Sequence, residues 1–283
     1  MTRKVAISDA VAMGGGLPFA LIAGPCVIES ESLCREIAQS VKATCETLGI
    51  AFVFKASFDK ANRTSGAAFR GQGQVRGLEI LAGIRQDFGM PVLTDVHEPE
   101  HCKLAADYVD ILQIPAFLSR QTDLLVAAGE TGKAINVKKG QFMAPLDIVN
   151  AVKKIEATGN QRILVCERGV SFGYNNLIVD FRSLPQMAAA TNCPVVFDAT
   201  HSVQQPGGLG TASGGTREFV PHLARAAAAV GVDAFFLEVH PEPTKALSDA
   251  ATMLPLADLP ALLKTLQAIA QAAHPPRRMG DGG

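Results

Sequence analysis

Residues 50–96 read IAFVFKASFDKANRTSGAAFRGQGQVRGLEILAGIRQDFGMPVLTDV. Two short apolar runs, Ile50–Ala56 and Pro91–Val96, flank an amphipathic stretch, Val75–Phe88, that stops at Gly89. The runs are apolar nearly throughout instead of alternating, as in strands buried on both faces of a parallel sheet covered by helices. The stretch between them has the period and the terminal glycine of a helix. The same unit repeats outward in both directions. Runs at Phe19–Val27, Val109–Pro115, Ala134–Lys138, Arg162–Glu167, Pro194–Ala199 and Ala234–Val239 bring the strands to eight. Further helices are predicted over Ser32–Leu48, Ala144–Thr158, Thr216–Val230 and Pro260–Ala273. Eight strand–helix alternations predict an α/β fold, the closed (β/α)8 TIM barrel, and 283 residues suit a barrel of roughly 250. An open doubly wound sheet would carry GxGxxG after its first strand, which is absent; Met13–Gly16 precedes a strand and reads as a flexible turn. No linker interrupts the chain. Residues 1–283 are read as a single barrel domain with an N-terminal extension, 1–16, and a flexible Pro/Arg/Gly tail, 275–283.

Composition narrows the function classes. With 48% apolar and 19% charged residues, the chain is neither disordered, collagenous nor a disulfide scaffold. Lys and Arg number 26 against 27 Asp and Glu, a net charge of −1, so no basic excess drives nucleic-acid or membrane-surface binding. The first residues lack the long apolar core of a signal peptide, and Leu17–Ala23 is too short to span a bilayer. The expectation is a soluble, cytoplasmic protein with no nucleic-acid or membrane partner. The six cysteines form no CxxC pair and no framework spacing, and most read as buried, reduced small hydrophobes.

In such barrels the active site lies at the carboxyl ends of the strands. There the first run ends on Cys26 and Glu29, the second on Lys55 with Ser57, Lys60, Asn62, Arg63 and Ser65 just after, and the third on Asp95 and His97. The fourth ends on Gln113, the fifth on Lys138, the sixth on Glu167 and Arg168, the seventh on Asp198 and His201, and the eighth on Glu238 and His240. Any one of these suits a surface loop, but solvation alone does not place polar residues at the same end of all eight strands. Two groups emerge. Lys55, Lys60, Arg63, Lys138 and Arg168 would converge on one mouth, where anions must neutralise them; phosphate and carboxylate oxygens suit such groups. Cys26, His201 and Glu238 come from strands that are consecutive once a barrel closes, and Asp249 follows in the next loop. A thiolate, an imidazole and carboxylates suit Zn²⁺, Fe²⁺ or Mn²⁺ better than Mg²⁺ or Ca²⁺. By spacing alone these residues also serve as packed or hydrogen-bonded structural groups. A Schiff-base aldolase using Lys138 or Lys55 fits the same pattern.

Longer motifs go further. The stretches Ala23–Ser30 (AGPCVIES), Lys55–Ser65 (KASFDKANRTS), Asp110–Arg120 (DILQIPAFLSR), Asn136–Phe142 (NVKKGQF), Glu167–Tyr174 (ERGVSFGY), Asp198–Gly207 (DATHSVQQPG) and Phe236–Asp249 (FLEVHPEPTKALSD) resemble the 3-deoxy-D-manno-octulosonate 8-phosphate synthases. The resemblance runs from about Phe19 to Leu256. It implies a homotetrameric (β/α)8 transferase that condenses phosphoenolpyruvate with D-arabinose 5-phosphate, releasing inorganic phosphate, in lipopolysaccharide synthesis. Carried over position by position, Lys55, Ser57, Lys60, Gln113, Lys138 and Arg168 would hold phosphoenolpyruvate, and Asn62, Arg63 and Ser65 the pentose phosphate. Ala116 is counted with the substrate-binding residues, and Arg120 would reach a neighbouring subunit's site. Asp95 joins Cys26, Lys55, Lys60, Asn62, Lys138, His201 and Asp249 as expected catalytic groups. Cys26 places the chain in the family's metal-dependent branch, where the other branch carries Asn, with Cys26, His201, Glu238 and Asp249 as metal ligands. Ala251 and Met253 depart from polar residues found in some members of that branch and bear on metal preference.

Two rivals share features of this reading. A 3-deoxy-heptulosonate 7-phosphate synthase, using erythrose 4-phosphate, resembles it in barrel and metal site but has a Lys-Pro-Arg-Thr-Ser signature, where this chain has Lys60-Ala61-Asn62-Arg63-Thr64-Ser65. A non-catalytic sugar-phosphate-binding barrel would need only the cations. The glycine-rich stretch Gly207–Gly215 reads equally as a lid over the mouth and as a passive loop.

Overall fold

The computed structural model of the chain describes residues 1–63, 65–208 and 214–274. Its centre is formed by strands β1 (Ala20–Gly24), β2 (Phe52–Lys55), β3 (Val92–Asp95), β4 (Ile111–Ile114), β5 (Ala134–Lys138), β6 (Ile163–Glu167), β7 (Val195–Asp198) and β8 (Ala234–His240). All neighbours pair in parallel, and β8 pairs both β7, with Ala234 opposite Val196, and β1, with Ala234 opposite Ala20. That double pairing closes the sheet into a barrel. Every residue of the eight strands is buried, which is why the runs are apolar without alternation.

Around the barrel lie α1 (Glu31–Leu48), α2 (Gln74–Phe88), α3 (Pro99–Ala106), α4 (Thr122–Glu130), α5 (Ile148–Glu156), α6 (Ser183–Thr191), α7 (Val220–Val230) and α8 (Leu259–Ala273). α1 shows how the sequence sets such an element. Ser30 accepts a hydrogen bond from the Leu33 N–H at its start, and Gly49 ends it at φ 66°, where a side chain is strained. Ile37, Ala38, Val41 and Cys45 form its buried face. Two helices begin later than predicted. Pro145 opens a 3₁₀ turn before α5, and Arg217–Phe219 form another before α7. Helices α3, α4 and α6, of 8, 9 and 9 residues, are not among those predicted; α5, also of 9 residues, is, because its Ile148, Ala151, Val152 and Ile155 keep an i, i+3, i+4, i+7 apolar stripe.

The core has two layers. One lies between helices and sheet, and the other fills the barrel itself, with Ile22, Val53, Leu93, Leu164, Val196 and Phe236. The N-terminal extension belongs to the second layer. Val5–Ala6 and Ala12–Met13 form an antiparallel hairpin whose Val5, Ile7, Val11 and Met13 pack against the barrel interior. The Arg162 guanidinium donates to Ala6 O at 3.0 Å and the Arg3 N–H to Asn192 O at 2.8 Å, so the hairpin closes the end where the strands start. Met13 thus ends the second strand of the hairpin, and Gly15–Gly16 form the turn predicted after it. Gly14 has φ 81° and sits so close to the chain start that an added Cβ would meet Arg3 O at 2.2 Å.

The six cysteines are buried and unpaired, and among the described residues no helix is long and apolar enough to cross a membrane. The tail, 275–283, lies outside the described residues, and so does most of Gly207–Gly215; Gly214–Gly215 at its end pair with Gln204–Gln205 just before it.

Candidate active site

At the opposite end, where the strands finish, a cavity of about 990 Å³ opens. Lys55, Lys60, Asn62, Arg63, Asp95 and Gln113 line it, and so do Ala116, Lys138, Arg168, His201, Glu238 and Asp249. Four other predicted residues lie apart. Cys26 is fully buried beneath the wall. Ser57 is buried with its hydroxyl donating to Asp95, so it holds that carboxylate rather than facing the cavity. Ser65 is half-buried and accepts from the Ala67 N–H. Arg120 is exposed, away from its own cavity.

The strand ends can meet this closely because of Gly24. A Cβ there would fall 1.9 Å from Lys55 O, so only glycine lets β1 approach β2 and carry Pro25 and Cys26 over the barrel. Lys55 then reaches across. Its ammonium lies 2.6 Å from Glu238 Oε1 and donates to Cys26 O at 2.8 Å. Lys138 lies 2.5 Å from Asp198 Oδ2 and 3.9 Å over the Phe236 ring.

These pairs correct the picture of an unneutralised cationic floor. Two of the five predicted cations are already committed to buried carboxylates of the protein. Both lysines proposed as Schiff-base nucleophiles are those committed ones. The Arg63 guanidinium donates to the Phe69 and Leu247 carbonyls. The cations left for a ligand are Lys60, with no side-chain hydrogen bond among the described residues, and Arg168, whose buried Nη1 has no partner there. Burial disfavours the Lys60 ammonium, but Cys26, Glu238, Asp95 and Asp249 outweigh it and hold its pKa well above the ordinary lysine value. For Arg168 burial prevails and lowers the pKa, although guanidinium remains a cation at neutral pH.

The four predicted metal ligands do come together. Cys26 Sγ lies 3.1 Å from Asp249 Oδ2, and Cys26, Glu238 and Asp249 place donor atoms within 4.8 Å of one another. His201 Nε2 is 3.6 Å from Glu238 Oε2 and 3.7 Å from Asp249 Oδ2. Its other nitrogen, Nδ1, lies 2.7 Å from Asp198 Oδ2, a carboxylate contact that fixes the ring's orientation. Two observations fit a cation here. Glu238 Oε2 is buried with no hydrogen-bond partner among the described residues. Burial, then Asp249 and Glu238, push the Cys26 thiol well up, so a thiolate at this position needs a positive charge beside it. Asp249 is held at φ 47°, a left-handed conformation that Asp tolerates better than most residues. Of the two atypical positions, Ala251 lines the cavity and Met253 is buried below it.

Sequence reasoning left Asp198 without a role and passed over Ser248 and Gln204. The three-residue spacing of Asp198 and His201 was the available signal for the first. Ser248, hydrogen-bonded to Cys26 Sγ at 2.9 Å, and Gln204, bridging Arg168 and Asp249, show only in three dimensions.

Asp95 makes a pH prediction. Burial raises its pKa, but Lys60, then His97 and Lys55, outweigh burial and hold it well below the ordinary carboxylate range. A carboxyl depressed in the folded state stabilises it above the unfolded pKa, about 3.9, and that contribution disappears as pH falls further. Urea midpoints below pH 4 are therefore expected to fall more steeply for the natural protein than for Asp95→Asn. Parallel profiles would contradict the depressed carboxyl.

The model of the DAHP synthetase I family matches residues 3–274. A protein of Cyanothece sp. named 2-dehydro-3-deoxyphosphooctonate aldolase is 58% identical over 269 residues, 95% of this chain and 98% of its own. The chain belongs to the DAHP synthetase I family. Members named 2-dehydro-3-deoxyphosphooctonate aldolase also include one from Rhodopseudomonas palustris, 60% identical over 271 residues (94% of each chain), and one from Granulibacter bethesdensis, 61% identical over 257 residues (91% of each). Among relatives so named, the family spans this barrel nearly end to end, from the N-terminal hairpin to α8.

Proposed function

We propose that this protein condenses phosphoenolpyruvate with D-arabinose 5-phosphate and water, giving 3-deoxy-D-manno-octulosonate 8-phosphate and inorganic phosphate for lipopolysaccharide synthesis. The observation that carries the reading is one cavity lined both by an anion-binding pair, Lys60 and Arg168, and by His201, Glu238 and Asp249, with Cys26 buried behind Asp249. Neither a sugar-phosphate-binding barrel nor a Schiff-base aldolase needs both.

The residues divide the work as follows. Lys60 and Arg168 neutralise the phosphate and carboxylate of phosphoenolpyruvate, beside Gln113. Asn62 and Arg63 receive the pentose phosphate, Arg63 exchanging its carbonyl partners for phosphate oxygens. Holding the two substrates face to face supplies much of the rate. The third carbon of phosphoenolpyruvate attacks the aldehyde carbon, whose oxygen takes a proton. Water adds to the second carbon and loses one proton, matching the one taken by the aldehyde oxygen; the bond from that carbon to the bridging oxygen then breaks, the new hydroxyl gives up its proton to become the keto oxygen, and phosphate leaves with that proton. Lys138 and Asp198 fix His201, Lys55 fixes Glu238, and Ser57 fixes Asp95. Cys26, His201, Glu238 and Asp249 would hold a Zn²⁺, Fe²⁺ or Mn²⁺ ion, which would supply Lewis-acid charge at the site. We further propose a homotetramer in which Arg120 serves a neighbouring cavity. Its exposure outside its own cavity, one turn beyond the exposed Phe117, supports this.

Phosphoenolpyruvate labelled with ¹⁸O at the bridging position tests the chemistry. The expected result is that released phosphate keeps the label and that borohydride traps no enzyme–substrate adduct. Unlabelled phosphate, or an adduct on Lys138 or Lys55, would contradict the mechanism.

A further inference from the structure

Gln204 stands between the two halves of this site. Its Oε1 accepts from Arg168 Nη2 at 2.6 Å and its Nε2 donates to Asp249 Oδ1 at 3.1 Å. Each neighbour is thus held by one atom and presents another. Arg168 Nη1 is buried without a partner among the described residues, and Asp249 Oδ2 faces Cys26 Sγ at 3.1 Å and His201 Nε2 at 3.7 Å. The amide is carried on an anchored residue. Its backbone pairs with Gly215, which packs so tightly on Thr252 that an added Cβ would meet Thr252 Cγ2 at 2.2 Å. The Thr252 N–H in turn donates to Asp249 O at 3.0 Å, tying the strand pair to the turn that carries Asp249. A primary amide offers an acceptor to the guanidinium and a donor to the carboxylate at once.

We propose that Gln204 is a positioning residue that couples the two ligand sites. A phosphate that fixes Arg168 fixes the amide and with it Asp249, so occupancy of the anion site raises affinity for a divalent metal, and the metal raises affinity for the anion by the same factor. The proposal rests on the activity proposed above.

The test uses the full chain, stripped of metal by chelator. Cd²⁺ binding is followed by thiolate-to-metal absorption, with and without phosphoenolpyruvate, and phosphoenolpyruvate binding by calorimetry, with and without Cd²⁺. In the natural protein each ligand is expected to tighten the other by a factor on the order of 5–150. Direct attraction between cation and anion survives in Gln204→Ala, so its coupling factor falls by about threefold or more without vanishing, read at a temperature where both proteins are fully folded. A merely structural glutamine would weaken both ligands and leave their mutual dependence intact. Equal coupling factors in the natural protein and Gln204→Ala overturn the proposal. Failure of the natural protein to bind either probe overturns the activity reading on which it stands.

Discussion

Cys26→Ser protein is expected to lose bound divalent metal and turnover together, each by about 100-fold or more. Changes merely adjacent to a metal ligand already cost about 10–100-fold in affinity or activity. Cys26 Sγ is the single sulfur donor in a cluster whose remaining donors are Glu238, Asp249 and His201. A serine hydroxyl is a hard, neutral oxygen that borderline divalent metals prefer less than thiolate. Loss of the metal would leave the buried Glu238 Oε2 unpartnered, with Lys55 engaging only Oε1. Metal analysis of the purified variant and turnover with saturating substrates give the two readings. Full turnover in metal-free Cys26→Ser protein would remove the metal from the account. Cys26→Asn is the informative companion. Its amide donates to Asp249 where the thiol does now, at 3.1 Å, so it is expected to lose metal like Ser while keeping more of the turnover.

Lys55→Met carries the largest expected loss of stability. Lys55 and Glu238 are 1% and 0% exposed and 2.6 Å apart. Removing one member of such a pair leaves a buried charge uncompensated, which costs about 3–5 kcal/mol. Urea unfolding should show that loss, with activity abolished. The paired change Lys55→Met with Glu238→Gln removes the stranded charge, so it is expected to recover part of the stability but none of the activity. A double variant no more stable than Lys55→Met would show that packing, not charge, explains the loss.

The barrel was legible because its strands are buried on both faces, and an apolar run such as Ala234–Val239 has no other comfortable place. The polar ends followed from the fold's geometry, so Lys55, Lys138, His201 and Glu238 were readable as one constellation. Their pairings were not. A lysine at a strand end looks alike whether it waits for a ligand or is held by a carboxylate many residues away, as Lys55 is by Glu238 and Lys138 by Asp198. Ser57 misled for a similar reason, since a hydroxyl beside a cavity gives no sign of which way it points. The N-terminal hairpin was obscured by brevity. Its strands are two residues each, and its four core side chains, from Val5 to Met13, are interrupted by Ser8, Asp9 and Ala10.

The central claim is that one cavity joins phosphoenolpyruvate to a pentose phosphate with the help of a metal held through Cys26. Phosphate release from phosphoenolpyruvate, measured with arabinose 5-phosphate and in parallel with erythrose 4-phosphate, before and after chelator treatment, tests it most directly. The account predicts release with the pentose phosphate in preference to the tetrose phosphate, lost to the chelator and restored by Zn²⁺, Fe²⁺ or Mn²⁺. Preference for the tetrose phosphate, or full activity after verified metal removal, would contradict it.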